Sequence, residues 1–345
     1  MKAFEISKPH EGRVVDLPVS ECGKGEVLVR MHYAGICGSD LHTYEGRHAR
    51  RKPPLITGHE GSGVVEKIGE GVEGLKIGQP CVILAEQSCG QCRWCKEGHT
   101  NLCASKMLLG TKPWPGTFSE YVKAPAANIL PLPEGLSLRL AAITEPTAIC
   151  MHVLRQASWQ EGQSALIFGA GGIGSILLAA CRVRGMSRAI VADPKQFNVD
   201  LAKKLGATAA INNGGEDEGL PALREACGEE GVDVAFIAAS PTSIVNQSFQ
   251  LTRKRGTITL VGQFNVPGIV DIDKCRLKEQ VIVSSAAANR RDFVEALDIL
   301  AKHPEAFEPV ITSEVTLEET DEFLRAMIAN SVPVAKAIVR LCDAD

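Results

Sequence analysis

The sequence predicts an α/β chain in two parts, a β-rich region followed by a doubly wound parallel-sheet domain. Three observations predict it. Up to about residue 150 short runs alternate apolar and polar, as in Glu26-Val-Leu-Val-Arg30, and are cut often by Gly and Pro, the pattern of antiparallel strands joined by turns. Beyond it, strand-like runs alternate with helix-like ones. At the first such junction stands Gly169-Ala-Gly171-Gly172-Ile173-Gly174, a glycine-rich turn between a strand and a helix.

Composition bounds what this fold does. A length of 345 residues favours two domains, each able to bury its own core. A net charge of −4 gives no electrostatic footprint for nucleic acid, so no nucleic-acid partner is expected. The most apolar window, 165–180, is short and broken by glycine, so no membrane partner is expected either. Twelve cysteines, among them lone members of apolar runs such as Cys81, Cys150, Cys181 and Cys227, do not form a disulfide framework. With an N-terminus, Met-Lys-Ala-Phe-Glu-Ile, that lacks a charged leader before an apolar run, the expected setting is cytoplasmic.

In the first region, Gly35-Ile-Cys37-Gly-Ser39-Asp40-Leu-His42 and Gly58-His59-Glu60-Gly61 are two turns that bring Cys, His and Glu to candidate metal positions. Between them lies a basic loop, Gly46-Arg47-His-Ala-Arg50-Arg51-Lys52. It reads either as a solvated surface loop or as a clamp, Arg50 and Arg51, for a substrate phosphate or carboxylate. Next come Cys89, Cys92, Cys95 and Cys103, with gaps of two, two and seven residues. Four thiolates so close in sequence suit one tetrahedral zinc in a closed, structural lobe at about 86–104. Two disulfides or an iron-sulfur cluster are the alternatives. Trp114, flanked by prolines, is read either as a wall of the substrate pocket or as a core residue.

In the second region Ser164–Phe168 reads as a buried strand, and residues 175–185 as the helix after the glycine turn. Asp193 follows nineteen residues after Gly174, at the end of a second strand. Strand, glycine turn, helix and acidic strand end together form a dinucleotide fingerprint, with Gly169, Gly171, Gly172, Ile173 and Gly174 at the pyrophosphate. Asp193 would meet the ribose hydroxyls and repel a 2′-phosphate, which points to NAD in preference to NADP; Lys195 and Lys203 add positive charge nearby. Further strands are read at 209–211, 232–237, 256–261 and 281–284, with an acidic connection and helix at 216–230. A helix at 291–302 and a closing strand at 335–340 return to the first domain.

These motifs, in this order and with Glu145-Pro146, resemble the zinc-dependent medium-chain alcohol and polyol dehydrogenases from end to end. The resemblance implies a GroES-like β-rich catalytic domain (1–150 and 286–345) and a Rossmann NAD-binding domain (151–285). It implies catalytic zinc held by Cys37, His59 and a carboxylate, Glu60 or Glu145, and therefore two zinc ions per chain. Glu145-Pro146 resembles the polyol branch, whose sorbitol, threonine and sugar-acid dehydrogenases act on secondary hydroxyls. Ser39 would accept the substrate's proton and His42 would pass it to solvent, since a histidine's ordinary pKa of about 6.5 suits that exchange. The last sheet strand in this family pairs across subunits, which implies a homodimer or homotetramer. One departure bears on substrate: where sorbitol-type members place an aromatic and an arginine, this chain has Ser284-Ser-Ala-Ala-Ala-Asn289 before Arg290-Arg291. That favours another polyol, a sugar acid or a phosphorylated sugar alcohol. Two rival readings are a zinc-free quinone or enone reductase of the same superfamily and a zinc-ribbon binding protein.

Overall fold

The computed structural model describes residues 1–214, 219–264 and 266–342, so part of the acidic connection read at 216–230 lies outside the described residues. The chain divides into two compact units. The first comprises residues 1–148, 289–304 and the chain from Ile311 onward; the second comprises 149–288 and 305–310.

The first unit is built on a seven-stranded sheet. Its long central strand, Glu26–Ile36, pairs antiparallel with Glu60–Ile68, Tyr121–Pro125 and Lys336–Arg340. Alternate residues Val27, Val29 and Met31 are fully buried and join Phe4, Tyr44 and Phe118 in one core, as a pleated strand with one face on the interior requires. The closing strand Lys336–Arg340 lies between Glu26–Ile36 and the parallel strand Ile311–Thr316, which carries the C-terminal segment back onto the sheet. A three-stranded sheet, Glu11–Asp16 with Lys2–Lys8 and Leu55–Ile56, completes this unit's strands beside the small hairpin at Glu86–Gln87 and Met107–Leu108.

The second unit is a six-stranded, all-parallel sheet. Its order is Ala209–Asn212, Arg188–Asp193, Ser164–Phe168, Val232–Ile237, Thr252–Leu260, Val281–Ser284, the doubly wound arrangement whose strand order reverses beside the first strand. Ser164–Phe168 is buried at every position because both faces of a parallel sheet are covered. The helix after the glycine turn runs Gly172–Val183, starting three residues before the boundary read from sequence, since Gly172 and Gly174 already adopt helical backbone. Among the described residues no helix is long and apolar enough to cross a membrane.

Candidate active site

Backbone pairing assembles the site in the first unit. Gly35, near the end of the strand Glu26–Ile36, pairs with Glu60 at the start of Glu60–Ile68. Cys37 follows at the junction with the helix Gly38–Tyr44, and His59 precedes Glu60, so ligand atoms of Cys37, His59 and Glu60 all lie within 4.8 Å of one another. Two glycines make this possible. A Cβ at Gly35 would collide with the Glu60 carboxylate, and Gly58, at φ +95, holds a turn in which a Cβ would press on Phe118. Gly35→Ala is therefore expected to displace Glu60 and to weaken zinc binding at this trio at least tenfold, read as metal content after dialysis. Full retention would mean that Glu60 does not hold metal.

Asp40 braces the two turns. Its fully buried carboxylate accepts from the Cys37 amide (3.0 Å), the Thr57 hydroxyl (2.6 Å) and the Gly58 amide (3.3 Å), and lies 4.0 Å from His59 Nδ1. Burial pushes its pKa up, but His59, Arg51 and these donors outweigh burial and hold it below the usual range, so it stays ionised. His59 Nδ1 is buried with no hydrogen-bond partner and faces Asp40, which leaves Nε2 as the nitrogen for a metal.

Lys336 is the residue that sequence reading passed over. It is buried, pairs with Glu60 Oε2 and donates to the Ile36 carbonyl (2.8 Å). Burial opposes its charge, but Glu60 and then Cys37 more than compensate, so its pKa is raised. The available signal was a lysine opening an otherwise apolar strand, Lys336-Ala-Ile-Val. Glu145, in the first turn of the helix Thr144–Gln156, lies outside the 4.8 Å trio. Burial raises its pKa to about 8, with His59 pulling down and Glu60 and Cys37 pushing up, so without metal it is largely protonated at neutral pH. Burial likewise raises the Cys37 thiol, aided by Glu60 and Asp40. A dication there is what lets the buried Cys37 thiol ionise, and thiolate, imidazole and carboxylate are zinc's usual donors, so the donor set fits zinc.

The four-cysteine lobe also fits its ion. The sulfurs lie within 4.8 Å of one another, with Cys92 to Cys95 at 3.5 Å and Cys89 to Cys95 at 3.9 Å. A tetrahedron with Zn–S near 2.3 Å has edges of about 3.8 Å. All four cysteines are free thiols, which sets the disulfide alternative aside. The Gln91 and Cys92 amides pull Cys89 down to about 6, so one thiolate is already favoured.

The structure places the remaining candidates and the arginines after Asn289. Arg51 is not at the surface: its guanidinium is 5% exposed and turns inward to Ser39 Oγ (2.8 Å), Asp40 Oδ1 (3.4 Å) and the Leu109 carbonyl (3.4 Å), so the clamp loses it and only Arg50 is exposed. His48 Nδ1 accepts the backbone amides of both arginines and so holds the turn, and the partners of the second lie inside it. Trp114 is 8% exposed, packs in the core and donates its indole N–H to the Lys123 carbonyl (2.8 Å), which commits the ring to the interior instead of to a pocket wall. Arg290 and Arg291 are spent on the Ala127 carbonyl (2.6 Å) and Glu295 (3.2 Å).

In the second unit the glycine turn is shaped for a phosphate. Gly169 sits at φ +90, and a Cβ on Gly174 would collide with the Gly169 carbonyl, so both are needed for the tight strand-to-helix packing. Gly171, the N-cap of Gly172–Val183, has nothing within 4 Å of its Cβ position, a space a pyrophosphate can enter beside the unpaired amides of Gly172, Ile173 and Gly174. Asp193 accepts the Ala170 amide on Oδ2 (2.8 Å) and the Lys195 amide on Oδ1 (2.8 Å), so it ties the turn to the strand end. Each oxygen keeps a second lone pair for a ribose hydroxyl.

Comparison with known proteins agrees with this chemistry. Residues 23–134 match the alcohol dehydrogenase GroES-like domain and residues 172–302 the zinc-binding dehydrogenase domain. The chain is 30% identical over 333 residues to sorbitol dehydrogenase of Bacillus subtilis, covering 93% of this chain and 92% of that one. It is 34% identical over 328 residues to D-arabitol-phosphate dehydrogenase of Enterococcus avium, covering 93% and 92%. A crystal structure of an alcohol dehydrogenase from Escherichia coli CFT073 complexed with NADH superposes with a TM-score of 0.90 at 30% identity, covering 99% of each chain.

Proposed function

The chain belongs to the zinc-dependent medium-chain alcohol and polyol dehydrogenases, oxidoreductases of CH–OH groups, and from there we propose that it oxidises a secondary hydroxyl of a polyhydroxy substrate with NAD as hydride acceptor. The observation that carries this reading is the convergence of Cys37, His59 and Glu60 from two turns braced by Asp40. Cys37, His59 and Glu60 would hold the catalytic zinc, Glu145 standing by at longer range, and Cys89, Cys92, Cys95 and Cys103 a structural one. Zinc there supplies the Lewis acidity that makes a hydroxyl acidic near neutral pH, and NAD supplies the hydride acceptor. Ser39 accepts the hydroxyl proton as its own proton leaves toward His42, which exchanges with solvent. Asp40 keeps His59 oriented, and Lys336 balances the charge of Glu60. A zinc-free reductase would have no use for the trio, and a zinc ribbon none for the glycine turn and Asp193. The carboxylate of Asp193 favours NAD over NADP, and twelve free cysteines fit a reducing cytoplasm.

The deciding experiment measures metal per chain beside NAD reduction across neutral polyols, sugar acids and phosphorylated sugar alcohols. About two zinc per chain with turnover of one class is expected; about one zinc and no turnover would overturn the reading. Arg50 is the remaining candidate to meet an anionic group, in line with the likeness to an arabitol-phosphate enzyme. Arg50→Ala is expected to raise KM about tenfold for an anionic substrate and less than twofold for a neutral one, as loss of roughly one charged hydrogen bond implies. Equal effects would return Arg50 to the solvated surface.

The homo-oligomer has its own support. The edge strand Val281–Ser284 leaves Val281 51% exposed, and Ile282, Leu277 and Ile272 beside it are exposed as well. Such an unpaired apolar edge is a template for a second copy. Val281→Lys with Ile282→Glu is expected to convert an oligomer to monomer in sedimentation; unchanged mass would remove this edge as the interface.

A further inference from the structure

Arg51 makes three hydrogen bonds from a buried guanidinium, and only one is short. Nη1 reaches Ser39 Oγ at 2.8 Å, whereas Asp40 Oδ1 and the Leu109 carbonyl lie at 3.4 Å. We propose that Arg51 is a positioning residue that fixes the direction in which Ser39 passes the substrate's proton. The inference rests on the reading of Ser39 as the proton acceptor.

The argument is one of donor and acceptor counts. A serine hydroxyl has one proton and two lone pairs, and arginine only donates and is never deprotonated. With Arg51 on one lone pair, Ser39 keeps one lone pair and one proton. It can then accept from a substrate hydroxyl and give up its own proton, but cannot turn its proton toward the guanidinium. Without Arg51 the hydroxyl is free to rotate, and the other acceptor that shares the Arg51 Nη1 donor with it, Asp40 Oδ1, competes for its proton. In the forward reaction the substrate O–H bond breaks and its proton goes to Ser39 Oγ. The Ser39 proton passes to His42 and then to water; with NAD bound, the C–H bond of the hydroxyl-bearing carbon would break, its electron pair leaving as the hydride that reduces NAD, while the C–O bond becomes C=O.

The local fold prepares this contact. The His48 ring is half-buried, and burial followed by Arg51 lowers its pKa, so it is neutral and its Nδ1 accepts the Arg50 and Arg51 amides. Beside that cap the adjacent arginines lie in opposite directions, Arg50 out and Arg51 in. The Leu109 carbonyl holds the other arm of the fork, so the guanidinium plane is set from both sides.

A double-mutant cycle on the zinc-loaded enzyme tests the idea, with Ser39→Ala, Arg51→Met and the pair, read as kcat per bound zinc. Ser39→Ala is expected to lower kcat roughly a hundredfold and Arg51→Met about tenfold, with KM within about twofold in each case. The double variant is expected to match Ser39→Ala alone, because a residue that acts through Ser39 has nothing left to act on. A further tenfold loss in the double variant would overturn the inference and leave the Ser39 reading standing. A fall in melting temperature or zinc content with kcat per zinc unchanged would make Arg51 merely structural. If Ser39→Ala stays within about threefold of wild type, the Ser39 reading itself fails. Should Arg51→Met not fold, Arg51→Lys, which keeps the charge but not the two-armed fork, is run through the same cycle with the same criteria.

Discussion

Replacing Cys37 by alanine is expected to lower kcat by roughly a thousandfold or more and to take zinc from about two to about one per chain. Zinc as a Lewis acid is worth several kcal/mol of transition-state stabilisation, and each 1.36 kcal/mol is a factor of about ten. Losing one of three ligands also lowers affinity enough to empty the site on dialysis. The fold is expected to survive, because what secures this turn is the Cys37 backbone amide on Asp40, which the substitution leaves in place. Cys103→Ala makes the opposite cut. Its buried sulfur accepts the Cys89 amide (3.4 Å) and closes the lobe, so its loss is expected to remove the structural ion and unravel 89–103 while the trio of Cys37, His59 and Glu60 stays whole. Metal analysis and the near-ultraviolet signal of Trp94, which stacks edge-on against His99 in this lobe, separate the two losses. Two zinc ions and undiminished kcat in Cys37→Ala would remove the candidate site altogether.

The parts legible in the sequence were those whose chemistry is local. Four cysteines within fifteen residues converge whatever the rest of the chain does, and the close approach of their sulfurs follows from that short loop. The glycine turn was legible because its tightest contact is local, Gly174 against the Gly169 carbonyl five residues before it. The strand Ser164–Phe168 has the bounds read from sequence, since a strand buried on both faces reads as a near-continuous apolar run, here Ala165 to Phe168 after Ser164.

What escaped depends on long-range packing. Lys336 reaches Ile36, 300 residues away in sequence, and the one local signal, a lysine opening an apolar strand, does not name its partner. Arg50 and Arg51 are the same residue type side by side, and what distinguishes the second is its buried partners Ser39, Asp40 and the Leu109 carbonyl, 12, 11 and 58 residues away in sequence. Trp114 reads as pocket wall or core from its flanking prolines alone, because the partner of its indole, the Lys123 carbonyl, lies in the following strand Tyr121–Pro125. The proposed preference for Glu60 over Glu145 rests on the pairing of Gly35 with Glu60, a register that alternation alone does not fix.

That register leads to the second large effect, at Lys336. In the metal-free protein Lys336→Met leaves the Glu60 carboxylate, 1% exposed, without its counter-charge. Breaking a buried pair from one side costs about 3–5 kcal/mol. Lys336 itself adds no pH dependence near neutrality: its folded pKa is raised, so its contribution is complete below the ordinary lysine value and is lost only as pH rises through and above it. Urea titrations of chelator-treated protein at pH 7 are thus expected to show Lys336→Met less stable than wild type by about 3–5 kcal/mol. Adding Glu60→Gln removes the stranded charge and is expected to recover most of the stability, while zinc binding by the trio stays impaired. If the double variant recovers nothing, the loss comes from the broken bond between Lys336 and the Ile36 carbonyl, and the ion pair is not what holds Glu60 in place.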